Sequence, residues 1–276
     1  LHTAQMCMLV IMIGFSSYGV ILVRSLAGTP MNQNEPNTAL AIKSYINREQ
    51  YGAIPHLYSA TYVARPIAME EGSPVYAPKV KSNPNEPDEY VKIYSQPKVK
   101  YAEDSKMLFP RMYSPQPEHI SGYNSWVDRN PDDMSKPSMA DNLKYLLRYQ
   151  VNYMYWRYFG WNFIGRQNDL QGDGGMLKGG VLTGYPLIDQ IALGKTKDLP
   201  DQLRNNKGRN VYYLLPLLLG FLGIAFQVTR RKKGMQAFWI TLALFFMTGL
   251  AIILYINQTP GQPRERDYAY AGSFYA

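Results

Sequence analysis

Two clusters of polar residues have the composition of a ligand-binding site. The first follows an aromatic segment, is rich in glycine, and contains Arg166, Gln167, Asn168 and Asp169 in succession. Asp and Asn oxygens in such a loop can coordinate an ion or surround a ligand. The spacing, however, fits neither an EF-hand nor a phosphate-binding loop. A helix end followed by a solvated turn explains the composition better, so from composition alone we favour the turn.

The second cluster is the segment Asn257–Tyr268, which reads NQTPGQPRERDY and follows the last apolar run. Its arginines could present their planar guanidinium groups to a phosphate. They could equally pair with the neighbouring acids and anchor the chain beside a membrane. A simple anchor does not need the Thr-Pro-Gly-Gln-Pro turn that precedes them, so we weigh binding and anchoring equally. The candidate binding residues are Gln262, Arg264, Glu265, Arg266 and Asp267.

Other kinds of site have no counterpart in the sequence. No Ser-His-Asp or Cys-His combination is visible, and the three histidines are far apart without cysteine partners, so we expect no metal site. Cys7 is the only cysteine, which excludes a disulfide within the chain. The formal charge is +8, but no basic helix, finger-type metal spacing or RNA-binding signature accompanies it. We therefore exclude nucleic acid as a partner and expect the basic excess to act at lipid headgroups.

Three apolar runs stand out from the polar remainder of the chain. They are Ala4–Val23, Val211–Val228 and Met235–Ile256. Their lengths are close to the roughly 20 residues needed to cross a bilayer, and aromatic residues flank the last two as interfacial anchors do. The sequence therefore predicts an α-helical membrane fragment, with three spans of a larger bundle, that carries a mixed α+β extracytoplasmic domain.

The basic cluster Arg230–Lys233 predicts the orientation of the spans. Positive charge in a short loop between two spans is typical of the cytoplasmic side. The polar stretch before Val211 and the segment after Ile256 are then outside. The predicted segments are transmembrane helix 1–27, extracytoplasmic domain 28–209, transmembrane helix 210–229, cytoplasmic loop 230–234, transmembrane helix 235–256 and extracytoplasmic segment 257–276.

Local patterns predict the elements of the outer domain. Thr38–Gln50 predicts a short amphipathic helix capped by Thr38. Leu57–Val63 and Tyr90–Tyr94 alternate in the manner of short strands, with a polar loop at Lys79–Glu89. Ala140–Phe163 has helical spacing and many aromatic residues. Two interpretations are open: a helix at the membrane interface, and a helix packed with its rings in the core of the domain. We favour a combination of the two, with more weight on contact with lipid.

Four stretches of the chain resemble one protein family. They are IGFSSYGVILVRSLAGTPMNQNEP (Ile13–Pro36), SYINREQYG (Ser44–Gly52), RYFGWNFIGRQNDLQG (Arg157–Gly172) and NQTPGQPRERDYAYAGSFYA (Asn257–Ala276). They resemble the large bacterial membrane proteins grouped as domain-of-unknown-function family 2723. That family is similar to the transmembrane protein O-mannosyltransferases. The resemblance extends over nearly the whole chain.

The resemblance implies a glycosyltransferase of the membrane C type in the bacterial inner membrane, with its large domain on the periplasmic side. Such enzymes take a polyprenyl-phosphate sugar as donor, and we expect no other cofactor. Their catalytic carboxylate usually lies in the first outer loop. The chain opens with Leu1 and contains no such loop before its first apolar run. We therefore expect the catalytic base upstream, assign no catalytic residue, and expect this chain alone to be inactive.

Residues and resemblance together give one hypothesis. Arg24, Arg264 and Arg266, with Asn32 nearby, would neutralise the phosphate of the lipid-linked sugar as it leaves. The first polar cluster would line the sugar or acceptor pocket. The expected partners are membrane lipid, the lipid-linked sugar and a protein acceptor. The alternative function is a non-catalytic membrane subunit whose outer domain binds a partner. A transporter is disfavoured because the spans carry no charges.

Overall fold

The computed structural model describes residues 2–49, 54–55, 57–83, 85–87, 89–170, 172, 177–195, 199–261 and 266–276. They form a mixed structure of helices and small two-stranded sheets. The chain divides into two compact units. The first comprises Leu1–Ile54 and Ile67–Lys100, and the second comprises Pro55–Pro66 and Tyr101–Ala276.

The first unit begins with helix α1, His2–Leu26, followed by α2, Ala39–Ile46. The Thr38 hydroxyl accepts a hydrogen bond from the Ala41 amide at 3.2 Å, so the predicted cap of α2 is confirmed. This helix ends at Ile46 and is therefore shorter than the predicted Thr38–Gln50. Gln50 lies outside the described residues.

The first unit also contains most of a long two-stranded ribbon, formed by Pro66–Pro78 and Tyr90–Tyr101, of which only the end residues Pro66 and Tyr101 belong to the second unit. The prediction placed only a short strand at Tyr90–Tyr94, because prolines interrupt the pattern. Each strand of a two-stranded sheet has an unpaired edge, and that edge tolerates proline. The Lys79 amide donates to the Glu89 carbonyl at 2.8 Å and closes the intervening loop. No residue of the ribbon is buried.

The second unit is built around the aromatic helix predicted at Ala140–Phe163. The helix consists of α4, Met139–Tyr145, a π-helix, Leu146–Trp156, and α5, Arg157–Phe163. A reciprocal cap starts it: the Ser138 hydroxyl accepts from the Asp141 amide, and the Asp141 carboxylate accepts from the Ser138 amide. Most of the rings are buried, so packing within the second unit accounts for them, and contact of this helix with a membrane interface stays a prediction. The buried rings are those of Tyr145, Tyr149, Tyr155, Tyr158 and Trp161.

One face of this helix carries a column of stacked side chains. The Tyr145 and Tyr149 ring centroids are 5.1 Å apart with an interplanar angle of 21°. Tyr149 and Tyr153 follow at 5.5 Å and 16°. The Arg157 guanidinium lies 3.9 Å from the Tyr153 ring centroid. We call Tyr145, Tyr149, Tyr153 and Arg157 the tyrosine column.

Two helices are long and apolar enough to cross a membrane, judged by length and composition: α1, and the continuous stretch Arg231–Ile256. The most apolar window of α1 is 0% buried and that of Arg231–Ile256 is 11% buried, which is unlike the core helix of a soluble protein. Arg231–Ile256 comprises α9, Arg231–Phe245, a short π-helix, Phe246–Leu250, and α10, Ala251–Ile256.

The structure does not support a full-length membrane span at 210–229, where the third span was predicted. The helix there runs only from Leu215 to Thr229, 15 residues, which is about 22 Å at 1.5 Å per residue. The hydrocarbon core is about 30 Å thick. Asn210–Val211 instead pairs as a strand with Gly165–Arg166. Pro216 then lies in the first turn of the helix, where proline is well tolerated.

The loop predicted at 230–234 is reduced to a turn at Arg230. Its other three basic residues occupy the first turn of α9. The two apolar helices thus form a tight hairpin, in which Gly234 lies against the Gln227 carbonyl with no room for a side chain. Among the described residues, the other α-helices of the second unit are α3, Pro117–Val127, α6, Pro186–Leu193, α7, Asp201–Arg204, and α8, Leu215–Thr229. Its other strands are Tyr58–Ala60 and Lys106–Leu108.

Candidate functional site

A groove at the carboxyl-terminal end of α1 contains two of the predicted binding residues, Arg24 and Asn32. Its volume is about 640 Å³. Val20 and Ile21 give it an apolar wall, and the polar residues lie at the end of the helix. Within the part of the chain that the structure describes, the Arg24 guanidinium has neither a hydrogen bond nor an ion pair. We call this feature the Arg24 groove.

Ser25 adds an unsatisfied polar atom to the Arg24 groove. The residue is 6% exposed, and its hydroxyl has no hydrogen-bond partner among the described residues. The Asn32 side-chain amide donates to the Ser25 carbonyl at 3.2 Å, which holds the following loop over the end of the helix. A buried hydroxyl without a partner is costly, which makes Ser25 a candidate donor to a ligand of this groove. Sequence reasoning missed Ser25 because a single serine just after an apolar run has no distinguishing pattern.

The second predicted cluster starts at Asn257, which ends α10 in the left-handed conformation, with φ of 44°. This residue is fully buried, and its amide joins distant parts of the second unit. The Nδ2 group donates to the carbonyls of Pro55 at 2.9 Å and Pro110 at 3.0 Å. The Oδ1 atom accepts from Gln150 Nε2 at 3.1 Å. Asn257 is therefore a structural junction, a role that no local pattern indicated.

Tyrosine hydroxyls hold the residues that follow Asn257. Tyr145 donates to the Gln258 carbonyl at 2.9 Å, and Tyr149 donates to the Thr259 carbonyl at 3.3 Å. Burial raises the pKa of Tyr145 well above its usual value, so this hydroxyl keeps its proton. These two hydrogen bonds hold the segment after Asn257 against the aromatic helix.

Arg266 and Asp267 are the only residues of the predicted binding set in this segment that the structure describes. Burial raises the pKa of Tyr113, and the positive charge of Arg266 opposes that rise. Asp267 is exposed and begins a short 3-10 helix, Asp267–Phe274. Gln262, Arg264 and Glu265 lie outside the described residues. Arg24 belongs to the first unit and Arg266 to the second, so the joint action of the arginines stays a prediction.

Arg111 is a buried cation that sequence reasoning did not single out. It is 2% exposed, and burial lowers its pKa to about 10, so it stays charged at neutral pH. Its Nη1 group donates to the Leu254 carbonyl at 2.9 Å, near the end of α10. Cations are stabilised at the carboxyl-terminal ends of helices, and the guanidinium also lies 3.9 Å from the Phe109 ring centroid. These contacts indicate a structural role.

The first predicted cluster is mostly occupied with internal contacts. Gln167 Oε1 accepts from the Gly180 amide at 3.0 Å, and Asn168 Oδ1 accepts from the Gly179 amide at 2.8 Å. Both side chains are almost fully buried. The Arg166 guanidinium lies 4.1 Å from the Trp161 ring centroid, and Asp169 accepts from Asn206 at 2.8 Å. The cluster therefore fixes the Gly179–Gly180 segment, and its predicted role in lining a sugar pocket stays a prediction.

Comparison with known proteins gives one match. The model of a family of unknown function (DUF8416) matches residues 52–147, which are 96 of the 276 residues of the chain. No curated protein and no solved structure matches. The matched stretch overlaps the four family-2723 motifs only at Gly52, so the match neither supports nor opposes that resemblance. Over residues 52–147 the chain is similar to a family of unknown function.

Proposed function

We propose that this chain is part of a membrane glycosyltransferase-like protein that transfers a sugar from a polyprenyl-phosphate donor to protein. The transfer would take place on the periplasmic face of the bacterial inner membrane. The proposal keeps three spans: α1, Arg231–Ile256 and the short apolar helix between Leu215 and Thr229. This last helix would have to cross with local thinning of the bilayer or with its flanking residues reaching the interface.

The observation that carries the proposal is the Arg24 groove. A polyprenyl phosphate needs an apolar wall for its chain and hydrogen-bond donors for its phosphate. The groove offers both: Val20 and Ile21 on α1, then Arg24 and the unsatisfied Ser25 hydroxyl. Charge-assisted hydrogen bonds from arginine suit a phosphate. From the sequence, we also propose that Arg264 and Arg266 neutralise the phosphate as it leaves.

Binding of farnesyl phosphate to the purified chain in detergent tests the groove directly. Farnesol, which has the same apolar chain without the phosphate, is the matched ligand control. We expect Arg24→Gln to weaken farnesyl phosphate binding about tenfold or more, the loss of a charge-assisted hydrogen bond, and to leave farnesol unchanged. Arg65→Gln, at an exposed arginine of the second unit, controls for the change in net charge. Equal effects of the two variants would contradict the phosphate site.

The transfer reaction needs a separate experiment. Radiolabelled sugar is followed from membrane lipid to protein in cells with and without the full-length parent protein, and with the parent carrying Arg24→Gln or the double variant Arg264→Gln/Arg266→Gln. The proposal expects labelled protein to disappear on deletion and to return with the wild type but not with either variant. Unchanged labelling on deletion would contradict the transferase.

The second candidate is a non-catalytic membrane subunit that binds a partner through its outer domain. The ribbon Pro66–Pro78 and Tyr90–Tyr101 favours it, because an isolated two-stranded sheet is seldom stable alone. Ile67, Met69 and Ile93 on the ribbon are all more than half exposed. Unchanged labelling on deletion would favour this candidate, and the outer domain would then serve as bait for a partner.

A further inference from the structure

A second pocket lies in the second unit, on the π-helix. Its volume is about 310 Å³, at the lower end of the range of about 300–1,000 Å³ for small-molecule sites, so it suits a ligand of one or two rings. Its walls come from five parts of the chain: the end of helix Pro117–Val127, the π-helix, the start of α5, the Gly179–Val181 segment and the end of helix Pro186–Leu193. We call it the Trp156 pocket.

Aromatic rings form one side of the Trp156 pocket and are held in place by their neighbours. Trp126 lies 5.1 Å from Tyr149 and 5.2 Å from Tyr153, centroid to centroid. Tyr153 is in turn fixed between Tyr149 and the Arg157 guanidinium as part of the tyrosine column. Trp156 is 40% exposed and lines the same pocket. Trp126 and Tyr153 are held by these ring contacts, whereas Trp156 meets Tyr155 and Phe159 edge to face and keeps part of its surface exposed.

The other side of the pocket is polar and is also held by internal contacts. Gln167 and Asn168 hold the amides of Gly180 and Gly179, and the Trp161 indole donates to the Gly179 carbonyl at 3.0 Å. The Asn152 side chain lines the pocket and is exposed, and within the described residues its amide makes no hydrogen bond. An amide offers two donors and an acceptor, a combination that can serve a pair of adjacent hydroxyl groups.

We infer that the Trp156 pocket binds a saccharide ring. The electron-rich face of an aromatic ring attracts the polarised C–H groups on the flat side of a pyranose. The Asn152 amide would bind hydroxyl groups at the edge of the same ring. Apolar aromatic ligands would use the rings without needing Asn152, and this difference makes the ligand class testable. The predicted cluster Arg166–Asp169 does not line the pocket. It would instead hold the Gly179–Gly180 wall of a sugar site in place.

The inference extends the proposed function, because such a ring could belong to the sugar or to a glycosylated acceptor. Binding in the pocket does not require transfer or the Arg24 groove, so the two proposals fail separately. Loss of farnesyl phosphate binding in Arg24→Gln with normal glycoside binding would support both. Normal farnesyl phosphate binding with no glycoside binding would overturn only this inference.

The test is direct binding of methyl glycosides of glucose, mannose, galactose and N-acetylglucosamine to the full chain in detergent, by saturation-transfer NMR and calorimetry. We expect at least one to bind with a Kd on the order of millimolar. Asn152→Ala and Trp156→Ala should each weaken it about tenfold. Trp239→Ala, at an exposed tryptophan on α9, should not change it.

Asn152→Ala keeps the test decisive even if Trp156→Ala disturbs folding, because the Asn152 side chain is exposed. Para-cresol serves as the apolar aromatic control ligand. No binding of any glycoside at tens of millimolar would overturn the inference. Glycoside binding that survives both Asn152→Ala and Trp156→Ala would also overturn it, as would para-cresol binding that is tighter than glycoside binding and insensitive to Asn152→Ala.

Discussion

Gln150 and Asn257 form a side-chain hydrogen bond, Nε2 to Oδ1 at 3.1 Å, and both residues are fully buried. The bond joins the middle of the π-helix to the residue that ends the last apolar helix. Asn257 also donates to two carbonyls from other parts of the second unit. These hydrogen bonds attach the helix Arg231–Ile256, the candidate membrane span, to the rest of the second unit.

Substitution of Asn257 should therefore destabilise the second unit in a defined order. Asn257→Gly keeps the left-handed backbone but loses the side-chain bonds. Asn257→Ala adds the left-handed penalty of roughly 1–2 kcal/mol. Asn257→Asp should be worst, because a carboxylate would face two carbonyls, and each unsatisfied buried group costs about 1–3 kcal/mol. Thermal unfolding in detergent measures the order, and an Asp variant as stable as Gly would contradict it.

Gly249 should not tolerate even a methyl group. A Cβ there would lie 2.7 Å from the Tyr155 hydroxyl and 2.9 Å from Ser273 Cβ. Overpacking of this kind costs about 1–3 kcal/mol, so we expect Gly249→Ala to lower the unfolding free energy by that amount. Gly220→Ala is the matched control, because nothing lies within 4 Å of its Cβ position. Equal stability of the two variants would show that the packing around Tyr155 is looser than described.

Asp133 should give the protein a stability that is lost in acid. The Ser135 amide and the Arg129 guanidinium bind its carboxylate and lower its pKa to about 2 from the ordinary 3.8. Since the folded-state pKa is the lower one, the contribution is fully present above pH 3.8 and disappears as the pH falls through 2. Melting temperatures measured from pH 5 to pH 2 should fall more steeply for the wild type than for Asp133→Asn. Parallel curves would contradict the assignment.

The Ser138 cap of the aromatic helix should contribute about 1 kcal/mol to the free energy of unfolding. Ser138→Ala removes the acceptor for the Asp141 amide, whereas Ser138→Asp preserves one. We expect the alanine variant to unfold earlier in a denaturant titration and the aspartate variant to match the wild type. Thr38→Ala removes the corresponding cap of α2, a helix with no buried residue. It should leave the unfolding of the second unit unchanged.

Local patterns predicted the elements whose causes are local. Thr38 was predicted as the cap of α2, and the apolar and aromatic spacing of Ala140–Phe163 predicted nearly the observed helix. The π-helical stretch within it could not be predicted, because its packing depends on the distant Gly249. The same holds for the start at Leu215, which follows from pairing of Val211 with Gly165 across the fold.

The candidate sites likewise contain some residues that the sequence predicted and others that only the structure reveals. Arg24 was singled out as an arginine at the end of an apolar run, and the structure places it in a groove with Asn32. Ser25 and Asn152 were missed, because exposure, burial and unsatisfied hydrogen bonds become visible only in three dimensions. Gln167 and Asn168 have the composition of ligand-binding residues, but their amides hold the chain's own backbone.

The tyrosine column has an optical consequence. Nearly parallel rings at 5.1 and 5.5 Å couple their electronic transitions, so the column should contribute to the near-ultraviolet circular dichroism of the protein. Unwinding of the π-helix would separate the rings and remove that contribution. The chain thus carries an internal spectroscopic reporter, which follows the order of its central helix without an attached dye.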